Sequence, residues 1–352
     1  MSKIRVGIIG SGNISNYHMK GYEALDNVEV VAACDLNAER VRAFAEKYGV
    51  AHTYTDLHEM VQKEELDAVS VCTWNNAHAE ATIAALEQGI NVLCEKPMAM
   101  NTPEANAMFE AAKKSGKLLQ IGFVRRFGKN TQIAQEFIDH DELGDIYYIK
   151  TKCVRRRGNP GGWFADKSRS GGGPLIDLGV HMIDLSRYLM GKPKAVSVYG
   201  ATFDGIGPGN NIKGIDRYCA SDLSDVCTVE DFATAMIRFD NDAILQVEVS
   251  FSANVKKQGS LTLDILGTKG GMSFEPELEI FSEKYDYLTN LTPVYQKDAV
   301  EFEANFISEI AHFVDCVANG TPTICPAEDG VELMRILDAV YLSAQTKKEV
   351  VL

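Results

Sequence analysis

Apolar positions in the first third of the chain follow two alternating rhythms. Short apolar runs at 4–9, 28–34, 68–73, 89–94 and 118–123 alternate with helically spaced stretches at 37–48, 77–88 and 102–115. Strand and helix in alternation predict a parallel, doubly wound sheet. Gly49 and Gly116 stand where two of these helices should end. Beyond Phe123 the rhythm changes. Longer β-rich segments follow at 147–155, 195–201, 228–239, 243–252, 260–266 and 294–302. Tight turns such as Asp240-Asn241-Asp242 and the glycine-rich 267–271 join them, as in an open, mainly antiparallel sheet.

Helices expected at 174–189, 304–319 and 328–346 would cover one face of that second sheet. The fold class is therefore α/β: a doubly wound domain over 1–124 and an α+β domain over 125–352. No repeat or low-complexity linker interrupts the chain. The stretch 205–213, rich in glycine and asparagine, reads as a mobile loop.

Composition narrows the partners. The chain has 352 residues, 45% hydrophobic and 24% charged, which fits an ordinary globular protein of about two domains. Its formal net charge of -14, from 35 basic and 49 acidic side chains, would repel nucleic acid or an acidic membrane surface. Arg155-Arg156-Arg157 is too short a basic run to reverse this. No apolar run reaches the ~18 residues of a membrane span, and a first strand at Ile4 leaves no room for a targeting segment. A cytoplasmic protein is expected. Eight cysteines without any C-x-x-C spacing argue against a disulfide framework and against a zinc ribbon, so reduced thiols and no metal are expected.

Three features carry chemistry. In the first, strand 4–9 runs into Gly10-Ser11-Gly12-Asn13-Ile14-Ser15. Gly10 permits a sharp turn and Gly12 lets backbone amides approach a pyrophosphate. The helix opening at Asn13 and Ile14 points its positive end at that anion. Ser15 stands in the place of a third glycine. Asp35 ends the second strand about 20 residues further on, where a carboxylate accepts from an adenosine ribose and repels a 2′-phosphate. Leu36 and Asn37 bring no cation, so NAD is preferred over NADP. The plainer role for Asp35 is as a turn residue, but Asn37 is the better cap for the helix that follows.

The second feature is Lys96 in Glu95-Lys96-Pro97, at the carboxyl end of an apolar strand, where ligands bind in open parallel sheets. Its ammonium there can reach an oxygen whose carbon exchanges a hydride; elsewhere such a lysine is merely solvated. The third is the run from Gly171 to Asp184. Pro174 suits a first helical turn, and Asp177 and His181 then fall four apart on one face. Read singly, Asp177 is a helix-dipole partner and His181 a core histidine. Gly179 in mid-helix costs about 1 kcal/mol relative to alanine, which points to a close approach at this helix.

Gly10-x-Gly12, Glu95-Lys96-Pro97 and the Gly-Gly-x-x-x-Asp177-x-x-x-His181 helix, in this order and spacing, resemble the glucose-fructose oxidoreductase, inositol dehydrogenase and rhizopine-catabolism (Gfo/Idh/MocA) family. The resemblance spans the whole chain. It implies an N-terminal Rossmann domain and a C-terminal domain whose open sheet builds homo-oligomers, dimers or tetramers. It further implies NAD(P)-dependent chemistry on sugars or cyclitols, with Lys96, Asp177 and His181 as the catalytic group and a cis Lys96-Pro97 bond. Thr73, Asn75 and His78 match a cofactor-side segment in which Trp74 replaces a proline. Glu95 and Pro97 join them near the cofactor, and Arg126, Arg157 and Trp163 fall where relatives contact substrate. The function so implied is hydride transfer between NAD and a secondary hydroxyl or ketone. Alternatives within the family are glycoside cleavage through transient oxidation by retained NAD, and a ligand sensor without turnover.

Overall fold

The computed structural model describes residues 3–207, 209, 212–214, 218–220, 222–223, 225–257, 259–274, 277–295 and 302–352, with Ser260 as backbone only. The elements begin with β1 (Ile4–Ile9), α1 (Asn13–Glu23), β2 (Val28–Cys34), α2 (Ala38–Tyr48), β3 (His52–Tyr54) and α3 (Leu57–Lys63). They continue through β4 (Ala68–Val71), α4 (His78–Glu87), β5 (Asn91–Glu95), α5 (Thr102–Ser115) and β6 (Leu119–Gly122). Next come α6 (Lys129–Asp139), β7 (Ile146–Arg155), α7 (Lys167–Ser170), α8 (Val180–Leu189), β8 (Ala195–Phe203), β9 (Phe232–Phe239) and β10 (Ile244–Ser250). The chain closes with β11 (Gly259–Gly267), β12 (Gly270–Ser273), β13 (Glu279–Lys284), β14 (Tyr287–Leu291), α9 (Phe302–Asn319), α10 (Ala327–Thr346) and β15 (Val350–Val351).

Two compact units emerge, and neither is a single stretch of chain. Residues 1–127 and 300–334 form the first; 128–299 and 335–352 form the second. In the first unit six parallel strands run in the order β3-β2-β1-β4-β5-β6, the doubly wound sheet expected. Helix ends follow local chemistry. Asn37 accepts from the amides of Glu39 and Arg40 to cap α2, and Gly49 ends it in left-handed backbone at φ 68°. Asn101 accepts from the Glu104 amide at 3.0 Å to cap α5, Glu104 accepts in turn from the Met100 amide and the Asn101 side-chain amide, and Gly116 closes the helix at φ 66°.

The sequence pattern predicts 304–319 over the second sheet. Instead α9 packs on α1: Ile310, Phe313 and Val314 share a buried cluster with Met19, Tyr22, Val28 and Phe44. Helical periodicity predicts an apolar face, but not which sheet that face covers. The unit composition accordingly differs from a division at 124/125.

The second unit holds a nine-stranded sheet in the order β14-β13-β12-β11-β7-β10-β9-β8-β15. It is mostly antiparallel, but β10 runs parallel to β7 from Ile244↔Tyr148 to Ser250↔Val154. Strands β12, β13 and β14 and helices α3 and α6 are not among the elements expected from the sequence. The strand expected at 294–302 falls largely outside the described residues, as does part of 205–213, and α9 begins at Phe302. Among the described residues no helix is long and apolar enough to cross a membrane. Cys34, Cys94 and Cys153 are buried inside strands, and burial pushes the Cys34 and Cys94 thiols up to about 12.

Candidate active site

In the first unit the glycine turn has the form the sequence predicts. Gly10 sits at φ +92°, and a Cβ there would lie 2.7 Å from the carbonyl carbon and oxygen of Cys72. Glycine is therefore required by packing as well as by conformation. Gly12 differs: its φ is -79°, and a Cβ built on it meets no atom within 4 Å. It is the N-cap of α1, and no side chain caps that end. The first-turn amides of α1, including those of Asn13 and Ile14, are therefore left without a side-chain cap at a helix head with open space beside Gly12, a cradle that fits a pyrophosphate.

Asp35 closes this cradle at the end of β2. Its Oδ2 accepts from the Ser11 amide at 2.9 Å and the Ser11 hydroxyl at 3.0 Å, and Oδ1 accepts from the Asn37 amide at 2.9 Å. The carboxylate ties the glycine turn to the head of α2. One neighbour was missed by reading only Leu36 and Asn37: Arg40, one turn into α2, brings Nη1 to 3.5 Å from Oδ1. Leu36 is 90% exposed beside it.

Lys96 occupies the end of β5, in the same sheet. From Val92 to Ala99 every residue is buried except Lys96, which is half-buried. The Lys96-Pro97 bond is cis. Two buried side chains fix this turn. His78 sets Nδ1 2.7 Å from the Pro97 carbonyl and Nε2 3.2 Å from the Thr73 carbonyl. Burial holds its imidazole below the ordinary value. Glu95 accepts from the Lys96 amide at 3.2 Å and pairs with His18 Nε2 at 2.9 Å. His18 continues through Nδ1 to the Ser70 hydroxyl at 3.0 Å, which meets the Tyr22 hydroxyl at 2.7 Å. His78 and Glu95, expected beside the cofactor, are 1% and 5% exposed and spend their polar atoms on the protein. They hold the lysine turn. Asn75 is also buried, whereas Thr73 is half-buried and Trp74 exposed.

In the second unit Asp177 and His181 lie on one continuous helical segment. From Gly172 to Arg187 every residue is buried except these two, which are half-buried. Two polar side chains four apart are the open positions of this otherwise buried run. Its beginning departs from expectation. Leu175–Gly179 forms a π-turn, with the Val180 amide donating to the Leu175 carbonyl, and α8 proper starts at Val180. π-turns occur often at functional sites. Gly172 and Gly173 precede it under close contact, with a built Cβ 2.0 Å from the Tyr341 hydroxyl and 2.4 Å from the Glu230 carbonyl respectively.

The remaining expected substrate contacts divide. Trp163 is half-buried, stacks on Phe164 with ring centroids 3.9 Å apart, and donates its amide to Asp222 at 3.3 Å. Asp222 also accepts from Arg169 at 2.6 Å; the sequence reading missed it because nothing local links 163 to 222. Arg157 is half-buried and donates to Asn254 at 3.0 Å. Arg126 is a correction. It belongs to the first unit, its side chain is fully buried, and its guanidinium bonds Asp329 at 2.9 Å and lies over the Phe123 ring. Spending a buried cation on a buried carboxylate gives Arg126 a structural task, because breaking such a pair would strand a charge.

The chain is similar to known proteins over nearly its whole length. A family model described as "Oxidoreductase family, NAD-binding Rossmann fold" matches residues 4–123, and its companion, "Oxidoreductase family, C-terminal alpha/beta domain", matches 135–352. A D-glucoside 3-dehydrogenase of Escherichia coli (strain K12) is 35% identical over 347 residues, covering 98% of this chain and 96% of that protein. A myo-inositol 2-dehydrogenase of Thermotoga maritima is 26% identical, covering 99% of this chain and 98% of that protein. Among solved structures, a levoglucosan dehydrogenase in complex with NADH and levoglucosan superposes with a TM-score of 0.87 at 25% identity, covering 99% of each chain.

Proposed function

The chain belongs to the Gfo/Idh/MocA oxidoreductase family, and on that premise we propose how its own residues divide the reaction. It is an NAD-dependent dehydrogenase acting between a secondary hydroxyl and the matching ketone of a sugar, sugar derivative or cyclitol. Bound NAD supplies the hydride acceptor, or the donor in reverse. The amides at the head of α1 and the open place at Gly12 would hold its pyrophosphate, and Asp35 its adenosine ribose. His181 takes the hydroxyl proton on a neutral ring nitrogen. Asp177 orients that ring or a neighbouring hydroxyl, and Lys96 donates to the oxygen on which negative charge develops.

The observation that carries this assignment is selective exposure. In two otherwise buried runs, 92–99 and 172–187, the three half-open positions are Lys96, Asp177 and His181. Polar groups left accessible on sealed elements are where a substrate can be met. The test is a panel of sugars, glycosides and cyclitols with NAD, followed by NADH absorbance. Substrate cleavage without net NADH would replace dehydrogenation by a transient-oxidation mechanism. Loss of no activity in Lys96→Ala and His181→Ala would remove the assignment.

Preference for NAD over NADP rests on the Asp35 carboxylate, with Arg40 at 3.5 Å as an opposing influence. We also place self-association on the second sheet. Its outer side carries Tyr199 directly opposite Met236, 55% and 51% exposed, and Lys152 opposite Glu248, a mixture of apolar and complementary charged positions suited to a second copy. Light scattering of wild type and Met236→Glu tests it.

A further inference from the structure

The helix bearing Asp177 and His181 is entered through a turn held from outside by a buried acid that neither motif nor periodicity marks. Glu230 is 9% exposed. Its Oε2 accepts from the Gly173 amide at 3.0 Å, and its Oε1 accepts from the Leu175 amide at 3.1 Å and the Tyr341 hydroxyl at 3.0 Å. Both amides belong to the start of the π-turn, where no earlier carbonyl of the helix can take them. Asp231, the next residue, is 2% exposed and accepts from the amides of Ile206 and Gly207. Its own carbonyl accepts from the Phe251 amide and the Ser250 hydroxyl, which anchors the pair to the end of β10.

Burying a carboxylate is unfavourable, and here burial pushes the Glu230 acid upward while the hydrogen bonds pull it down. Three convergent donors need a group that only accepts, and an ionised carboxylate alone among side chains of this length does so. A glutamine would turn an N–H toward at least one of them. The geometric consequence concerns direction. Each residue of an α-helix advances the azimuth by about 100°, so a start displaced by one hydrogen-bonding step would aim Asp177 and His181 elsewhere. Gly172 and Gly173 add to the constraint, since they press the turn against Tyr341 and Glu230.

We propose that Glu230 is a positioning residue for catalysis, fixing the π-turn and through it the aim of Asp177 and His181. The proposal rests on the roles given to those two side chains. It is tested with Glu230→Gln, Glu230→Leu and Tyr341→Phe, using NAD affinity by calorimetry, steady-state kinetics on the best sugar, and hydrogen exchange of the peptide covering 172–181. A misplacement on the order of 1 Å costs about 100-fold in rate. Glu230→Leu should therefore lose about 100-fold in kcat, and Glu230→Gln about 10-fold, with faster exchange at 172–181 and NAD affinity within about twofold of wild type. Tyr341→Phe, which leaves both backbone amides paired, should stay within about threefold. Should Glu230→Leu fail to fold, Glu230→Gln decides. Wild-type kcat in Glu230→Gln, or unchanged exchange at 172–181, overturns the proposal. If wild type turns over no sugar or cyclitol, the assigned chemistry fails, while the exchange comparison still decides whether Glu230 holds the turn.

Discussion

Replacing Gly12 by alanine separates a glycine kept for a ligand from one kept for the fold. At φ -79° an L-residue is unstrained, and the added methyl meets no atom within 4 Å. The fold should lose at most ~1 kcal/mol, the difference between good and poor N-caps. The methyl would, however, take up open space at the head of α1. A pyrophosphate held there must retreat, and NAD affinity should fall at least ~10-fold, about 1.4 kcal/mol. Gly10→Ala makes the contrast. Its φ of +92° costs an L-residue about 1–2 kcal/mol. Its Cβ would stand 2.7 Å from the Cys72 carbonyl, about 0.7 Å inside ordinary contact, adding about 1–3 kcal/mol of overpacking. Urea unfolding beside calorimetric NAD titration reads both effects. If Gly12→Ala binds NAD as tightly as wild type, the dinucleotide does not lie on this turn and the assignment of the pyrophosphate site is refuted.

Lys96→Ala should bind NAD normally yet turn over at least ~100-fold more slowly, since a positioned proton-transfer or charge-stabilising group contributes that much or more; weakened NAD binding with proportionate activity would give the lysine a different task. Asp35→Ser should narrow the preference for NAD, and Asp35→Ser/Arg40→Ala should bind NADP more weakly than the single variant if Arg40 then meets the 2′-phosphate. Competitive titrations that find the two variants equal would remove Arg40 from the account. His78 yields a pH prediction. Burial lowers its folded-state value below the ordinary 6.5, so the unfolded chain takes up the proton first. That share of stability is complete above 6.5 and is lost as the pH falls below it. His78→Asn, though less stable throughout, should lose less between about pH 7.5 and about pH 5.5 than wild type; parallel losses in urea midpoint would show that His78 titrates normally.

What the sequence disclosed and what it withheld follow from the range of each interaction. Strands 28–34 and helix 102–115 were legible to the residue because β-branching and capping chemistry act within a few positions. Lys96, Asp177 and His181 were legible as motifs, and the selective exposure that distinguishes them appears only in the folded units. Arg126 misled because a buried ion pair with Asp329, 203 residues away, leaves no local trace. Glu230 and Asp222 were missed for the same reason: a carboxylate acquires its role from donors that arrive from other segments, whereas Arg40 lies only five residues from Asp35 and comes near it through the turn of α2. The short strands β12 to β14 offered too few alternations for a period to be counted.

The placement of α9 bears on how the protein is made. Met19, Tyr22, Val28 and Phe44 belong to the first fifty residues, but the cluster that shelters them is completed by Ile310, Phe313 and Val314. During synthesis, the nucleotide-binding unit must therefore wait with apolar surface uncovered until some 300 residues have been translated, an interval of about 15–60 s at usual elongation rates. Most of the second unit, 128–299, is made in the meantime, whereas its last segment, 335–352, follows α9. A message cut short anywhere before codon 310 yields not a smaller working cofactor module but one with an exposed flank, suited to chaperones and proteases rather than to NAD.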